Sequence, residues 1–206
     1  MEYFIGIDVG TTGTKALLFD AHGEILHRAY RSYPLMNPAP EQTEQNPMDW
    51  YQAVCLTVKE CTTKLEEPSQ VTALSISAQG GTLVLCDESG RPIRNAISWL
   101  DRRAKKESEE LCQAKEEDYY YLHTGWRVNH GYHLAEIKWL VKHEPELIKQ
   151  TRFFLSPLDF LNLKLSGEAV SDYTNVAITN LEDIRKRNWE KSIFDDLGIK
   201  EKQLPR

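Results

Sequence analysis

Long apolar runs, clustered positive charge and paired cysteines are all missing from this chain of 206 residues. Its four cysteines are Cys55, Cys61, Cys86 and Cys112. None forms a C-x-x-C pair and no histidine cluster accompanies them, which argues against a zinc site. All four read as reduced thiols, and the expected location is the cytoplasm. No apolar stretch reaches the ~18 residues needed to span a membrane, so no membrane contact is expected. The N-terminus passes directly into a strand pattern, with no signal peptide. Net charge is −6, and no run of lysine and arginine is long enough to track a phosphate backbone, so nucleic acid is not expected as a partner. The densest charged stretch, Asp101 to Asp118, mixes both signs at helical spacing and reads as a solvated helix face. With 41% hydrophobic and 27% charged residues, the balance is that of a globular chain, long enough for one domain or for one domain and a fragment.

Two common phosphate motifs are missing as well: G-x-x-x-x-G-K-[ST], and G-x-G-x-x-G running into a helix. What stands at residues 5–15 is Ile-Gly-Ile-Asp-Val-Gly-Thr-Thr-Gly-Thr-Lys. An apolar run from Tyr3 to Ile7 reads as a buried strand that ends at the carboxylate of Asp8. A turn rich in glycine and threonine comes next, then a second apolar run from Ala16 to Phe19. Glycine weakens strands, but Gly10 and Gly13 let backbone N–H groups crowd around an anion. Thr11, Thr12 and Thr14 add hydroxyls and Lys15 adds positive charge. Asp8 repels phosphate but can hold Mg²⁺, usually through water, and the ion can bridge to phosphate oxygens. The bland alternative is a hairpin with an ordinary glycine turn. The coincidence of carboxylate, glycines, hydroxyls and lysine favours a nucleotide phosphate site.

The remaining pattern is mixed. Glu24 to Tyr33 reads as a third strand and residues 34–46 as a loop. Asn46 and Pro47 open a helix that carries Trp50, Val54, Val58, Cys61 and Leu65 on one face and closes at Pro68. Val71 to Ala78 and Thr82 to Cys86 read as strands joined by Gln79, Gly80 and Gly81, and Ile93 to Trp99 carries the chain back. Helices are predicted from about Arg102 to Lys115, over Leu134 to Val141, from Ser156 and Pro157 to Leu165 with Gly167 as the stop, and over Trp189 to Leu197. Phe153 to Leu155 reads as a short strand. Strands first, then strands alternating with helices, predict an α/β fold with a mixed sheet flanked by helices.

The hairpin resembles the first phosphate loop of the actin, Hsp70 and sugar-kinase (hexokinase) superfamily, and the element order resembles a ribonuclease-H-like core. Three further segments sharpen the resemblance: Ile76-Ser77-Ala78-Gln79-Gly80-Gly81-Thr82-Leu83-Val84, Asn95-Ala96-Ile97-Ser98-Trp99-Leu100-Asp101-Arg102-Arg103, and Ser171-Asp172-Tyr173-Thr174-Asn175-Val176-Ala177. In this order the four segments resemble the FGGY carbohydrate kinases, from residue 3 to about residue 200. The resemblance implies ATP-dependent phosphorylation of a sugar, polyol or sugar-acid hydroxyl, with xylulose kinases the slightly preferred subfamily. It places Asp8 by Mg²⁺ and puts Thr11, Thr12, Gly13 and Lys15 at the ATP phosphates. It assigns Gln79, Gly80, Gly81, Trp99 and Asp101 to the sugar, with His130 and Tyr132 as lesser candidates.

For two of these residues plainer readings stand beside the sugar. Trp99 could be a core aromatic, and Asp101 could be the N-cap of the next helix. Where known subfamilies often carry a large residue after the glutamine, Gly80 and Gly81 offer no side chain, and a histidine at position 81 would narrow the pocket. The resemblance also implies a general base in a Gly-Gly-Asp type segment, which is not found before Pro205 and Arg206. The expectation is therefore an N-terminal sugar-binding domain, inactive alone, whose partners are a small sugar or polyol and a C-terminal ATP-binding domain, with self-association as a homodimer on surfaces that domain would cover. The competing class is a non-catalytic, nucleotide-dependent switch on an actin-like fold.

Overall fold

A computed structural model describes residues 2–116 and 118–206. In chain order the elements are β1 (Tyr3–Val9), β2 (Gly13–Asp20), β3 (Ile25–Ser32), β4 (Glu44–Gln45), α1 (Pro47–Thr62), β5 (Val71–Ala78), β6 (Val84–Cys86), β7 (Ala96–Ile97) and α2 (Lys105–Ala114). Then come α3 (Tyr119–Thr124), α4 (His133–His143), α5 (Pro145–Gln150), β8 (Phe153–Leu155), α6 (Pro157–Ser166), α7 (Tyr173–Ala177), β9 (Glu182–Asp183), β10 (Asn188–Trp189) and α8 (Lys191–Phe194). They form two compact units. The first runs to Leu35 and resumes over Asn46–Gln79; the second holds Met36–Gln45 and Gly80–Arg206.

The first unit is a four-stranded sheet in the order β3-β2-β1-β5, antiparallel except that β5 runs parallel to β1. Strand alternation decides its faces. Ile5, Ile7 and Val9 lie opposite Leu18, Ala16 and Thr14, and all six are buried on the side where α1 packs. Trp50, Ala53, Val54, Thr57 and Cys61 are the buried face of α1. Asn46 caps it, accepting from Met48 N at 3.1 Å, with Pro47 in the first turn. The helix ends at Thr62, short of the expected Pro68. Pro68 instead opens a single 3₁₀ turn, so Leu65 is not part of the helical face. β5 is one edge of the sheet and β3 the other, and Leu74 on β5 is 47% exposed.

The second unit has short strand pairs, β4 with β7 and β6 with β8, both antiparallel. Its core gathers Leu83, Leu85, Ile97, Leu134, Ile137, Leu140, Phe154 and Phe194. α6 starts in a capping box, Ser156 with Asp159, and stops at Gly167, whose φ of 82° suits glycine. Of the expected return strand, Ile93 to Trp99, only β7 is regular. The expected last helix, Trp189 to Leu197, is β10 followed by α8 and a 3₁₀ turn.

Candidate functional site

Asp8 is the last polar residue of β1 and lies directly opposite Lys15 on β2, which lies opposite Tyr30 on β3. The three share the sheet face away from α1, because each neighbours buried residues that point the other way. Asp8 and Lys15 are exposed, so a carboxylate and an ammonium stand side by side at the mouth of the hairpin. The hairpin closes through Gly10 N to Gly13 O at 3.0 Å. Tyr33, one residue past β3, donates its hydroxyl to Gly10 O at 2.6 Å and its N–H to Thr12 O at 3.3 Å. Burial pushes the Tyr33 phenol up to about 12, so it remains a donor at neutral pH. The carbonyls of Gly10, Thr12 and Gly13 are thus all engaged inside the unit. Carbonyl oxygens repel anions, and tying them back is what a phosphate-holding turn requires. The residues present therefore fit a nucleotide phosphate with its metal: one carboxylate for the cation through water, one lysine and several hydroxyls for the anion.

Gln79 comes directly after β5. Its N–H bonds Val9 O at 2.9 Å, and its side-chain oxygen accepts from Thr11 Oγ1 at 3.1 Å. Gln79 is therefore tied to the tip of the phosphate hairpin, a link that spacing alone did not reveal.

Gly80 and Gly81 open the second unit. Gly81 has φ of 76°, and a Cβ there would stand 3.1 Å from both Gly131 O and Trp99 Cβ. The turn admits no side chain at 81, contrary to the expectation that histidine could be placed there. At Gly80 the nearest atom to a Cβ would be Ile178 Cδ1 at 3.5 Å, which leaves ordinary room. Trp99 is 45% exposed, so it is not a core aromatic. Its N–H bonds Thr82 Oγ1 at 3.2 Å, and Thr82 O faces Nε2 of buried His133 at 3.0 Å. His130 is partly buried beside Arg102, and Tyr132 lies against the Gly81 turn.

Asp101 is 1% exposed and is not a helix N-cap, since α2 begins at Lys105 with Ala104 in the cap position. Its carboxylate takes Arg103 in a fork at 2.9 and 2.8 Å, and also accepts Thr43 N at 2.6 Å and Arg103 N at 2.8 Å. Arg103 continues to Glu44 at 2.8 Å; Arg94 joins Glu44 and Glu144, each at 2.6 Å. Beside this network sits Glu136 on α4. It is wholly buried, and neither of its oxygens has a hydrogen-bond partner among the described residues. Burial first, and the charge of Asp101 second, push its carboxyl well above the usual carboxylate range, against the pull of Arg103 and Arg94. Three carboxylates already face two guanidinium groups here, so a neutral Glu136 is the lower-energy state.

Sequence reasoning missed three participants: Tyr33, His133 and the Glu44–Arg94–Arg103 chain. The signal for Tyr33 was its place one residue beyond a strand whose Ser32 pairs with Gly13. His133 and the ion-pair chain depend on long-range contacts and leave no local pattern.

The profile of the FGGY family of carbohydrate kinases, N-terminal domain, matches residues 3–206. The chain is 32% identical over 200 residues to a xylulose kinase from Bacillus subtilis, covering 97% of this chain and 40% of that protein. It is 30% identical over 209 residues to a glycerol kinase from Thermococcus gammatolerans, covering 99% of this chain and 42% of that protein. A crystal structure of gluconate kinase from Lactobacillus acidophilus superimposes with a TM-score of 0.94 at 27% identity, over 100% of this chain and 41% of that one. The chain thus spans about two fifths of the length of these relatives. The fold is that of the actin- and hexokinase-like sugar kinases, and the chain belongs to the FGGY family of carbohydrate kinases.

Proposed function

We propose that this chain is the N-terminal, acceptor-binding part of an ATP-dependent carbohydrate kinase, and that its acceptor is a ketopentose such as xylulose. The observation that carries the reading is the hairpin: Asp8 and Lys15 paired across β1 and β2, with the neighbouring carbonyls turned inward by Tyr33. The substrate preference rests on the several xylulose kinases among its relatives.

Phosphoryl transfer needs alignment and charge neutralisation more than covalent chemistry. In this reading ATP is the phosphoryl donor, and Asp8 would hold Mg²⁺, which when bound would supply charge neutralisation at the phosphates. Lys15, Thr11, Thr12 and the Gly13 backbone hold phosphate oxygens. Gln79, through Thr11, keeps the hairpin tip in place, and its amide is of the type that reads a hydroxyl as donor and acceptor together. Gly80 leaves ordinary room on its side of the turn, while Gly81 lets the backbone pass closely between Trp99 and Gly131. Asp101 acts by holding Arg103 and Thr43, and so fixes the strand end that carries Trp99. The proton of the attacking hydroxyl would go to the aspartate of a Gly-Gly-Asp type segment at the end of the N-terminal domain, and the rest of the nucleotide site would come from a C-terminal domain.

The test is ATP-dependent phosphorylation of ketoses, polyols and sugar acids by the complete gene product. Ketopentose-dependent ADP formation is expected. ATP turnover indifferent to every sugar in the panel would refute the kinase reading and favour the switch.

A further inference from the structure

Trp126 has no part in the scheme above, yet its setting is unusual for a surface tryptophan. Its ring is 44% exposed while its backbone is pinned. The carbonyl of Trp126 accepts from Thr124 Oγ1 at 3.0 Å and from Nδ2 of Asn180 at 3.1 Å, and its N–H bonds Thr124 Oγ1 at 3.3 Å. Asn180 is fully buried and sits at φ of 59°, a conformation asparagine tolerates better than most residues. A large, partly exposed ring thus stands on a backbone anchored by a buried residue.

The ring meets Tyr132 edge to face, with centroids 6.0 Å apart and planes at 86°. Tyr132 in turn lies against the glycine turn: its Cδ1 would be 3.6 Å from a Cβ on Gly81. The loop carrying Tyr132 passes close to Trp99: a Cβ on Gly131 would fall 2.4 Å from Trp99 O. Trp126 thus meets Tyr132 ring to ring, and Tyr132 and Trp99 both lie against the Gly81 turn, all within the second unit.

We infer that Trp126, edge-on to Tyr132 beside the Gly80–Gly81 turn, is a specificity-determining residue of the acceptor site, whose exposed ring stacks on the C–H surface of an acceptor of five or more carbons and selects it over glycerol. A three-carbon polyol is too short to reach beyond the rings nearest the turn, and it offers little apolar surface. A ketopentose or ketohexose, in chain or ring form, presents a run of C–H groups that a flat aromatic can cover. Gly80 leaves room at the turn, and the Trp126 ring supplies the extra contact. This rests on the kinase reading for the place of the acceptor.

The experiment is equilibrium binding of xylulose, fructose and glycerol to the complete gene product, followed by ligand-observed NMR. Trp126→Ala should weaken xylulose and fructose about 3- to 10-fold, the effect of one aromatic contact, and leave glycerol unchanged; Trp126→Phe should restore most of the loss. Trp126→Gln, which replaces the ring by a polar side chain suited to an exposed position, should behave as the alanine variant and guards against a folding defect in it. If the sugars bind and all variants keep the wild-type ranking, the role of Trp126 is overturned while the kinase reading stands. If no sugar binds the wild-type protein, the acceptor-binding reading falls, and the role of Trp126 with it.

Discussion

Acidification should loosen the tie between the acceptor turn and α4. The neutral His133 ring, carrying its hydrogen on Nε2, donates to Thr82 O, and Thr82 receives the N–H of Trp99. Burial, partly offset by that bond, pushes the imidazole down to about 4. In the unfolded chain a histidine titrates near ~6.5. Between those values the unfolded state takes up a proton that the folded state refuses. Stability is therefore intact above the unfolded value and falls as pH drops through the window. A gap of about 2.5 units at ~1.36 kcal/mol each amounts to about 3 kcal/mol. Asp159 works in the opposite direction. Burial pushes it up to about 6 from an ordinary 3.8, against the hydrogen bond from Ser156 N, so its contribution is full at low pH and is lost as pH rises towards the folded value. The two slopes oppose each other over much of the same range, and the wild-type profile alone will hide both. The informative quantity is the difference between wild type and His133→Gln, which keeps a donor for Thr82 but cannot titrate. In urea unfolding of the 206-residue chain, the two should lie within ~1 kcal/mol of each other at neutral pH. Near pH ~4 the variant should be relatively better by about 3 kcal/mol. Parallel profiles for the two proteins would refute the assignment of a buried neutral imidazole.

In the complete kinase, Asp8→Asn should lower kcat by up to ~10³-fold with little change in sugar affinity, since the carboxylate acts through the cation on the transferring phosphate; steady-state kinetics at saturating Mg²⁺ will show it. Gln79→Ala should raise KM for sugar by a loss of ~0.5–1.5 kcal/mol, and because Gln79 also holds Thr11, a smaller rise in KM for ATP should accompany it. Gly81→His should destabilise the chain, the residue being left-handed and hemmed in by Trp99 and Gly131, whereas Gly80→Ser should fold normally and change the order of sugar preference; thermal melts and a sugar panel separate the two. Glu136→Met should stabilise the chain by ~1–3 kcal/mol at neutral pH, because it removes a buried group without partners. That gain should shrink on acidification, as protonation of the carboxyl in the unfolded chain removes part of the cost, and urea midpoints across pH will report it.

Elements set by neighbours in the chain were legible. β1, β2 and β3 follow from alternation and from the glycine turns between them, and α1 and α6 from Asn46–Pro47 and Ser156–Pro157 at their starts. The hairpin chemistry was legible because carboxylate, threonines and lysine sit within one turn of chain. Errors arose where distant partners decide. Leu65 matched the helical spacing, but α1 had already ended at Thr62. Asp101 had the look of an N-cap, but Arg103 and the backbone of Thr43, 58 positions away, claimed its oxygens. Trp99 could not be sorted between core and surface by type alone, since tryptophan serves both. α3, α5 and α7 are five or six residues each, too short for a periodic signal.

The route of the chain between its two units bears on how it is made. Residues 36–45 leave the first unit, join the second, and return before α1. On the ribosome the sheet of the first unit is complete once residue 79 has emerged. The detour must then wait, because its partners, Arg94, β7 and the Asp101–Arg103 pair, come 50 or more residues after it. Until they arrive it is a tethered loop hanging from a finished sheet, with the carboxylate of Glu44 still in water. The Arg94–Glu44 and Arg103–Glu44 bonds then close that loop late, which makes Glu44 the residue whose loss would leave the early sheet intact and stall only the second unit.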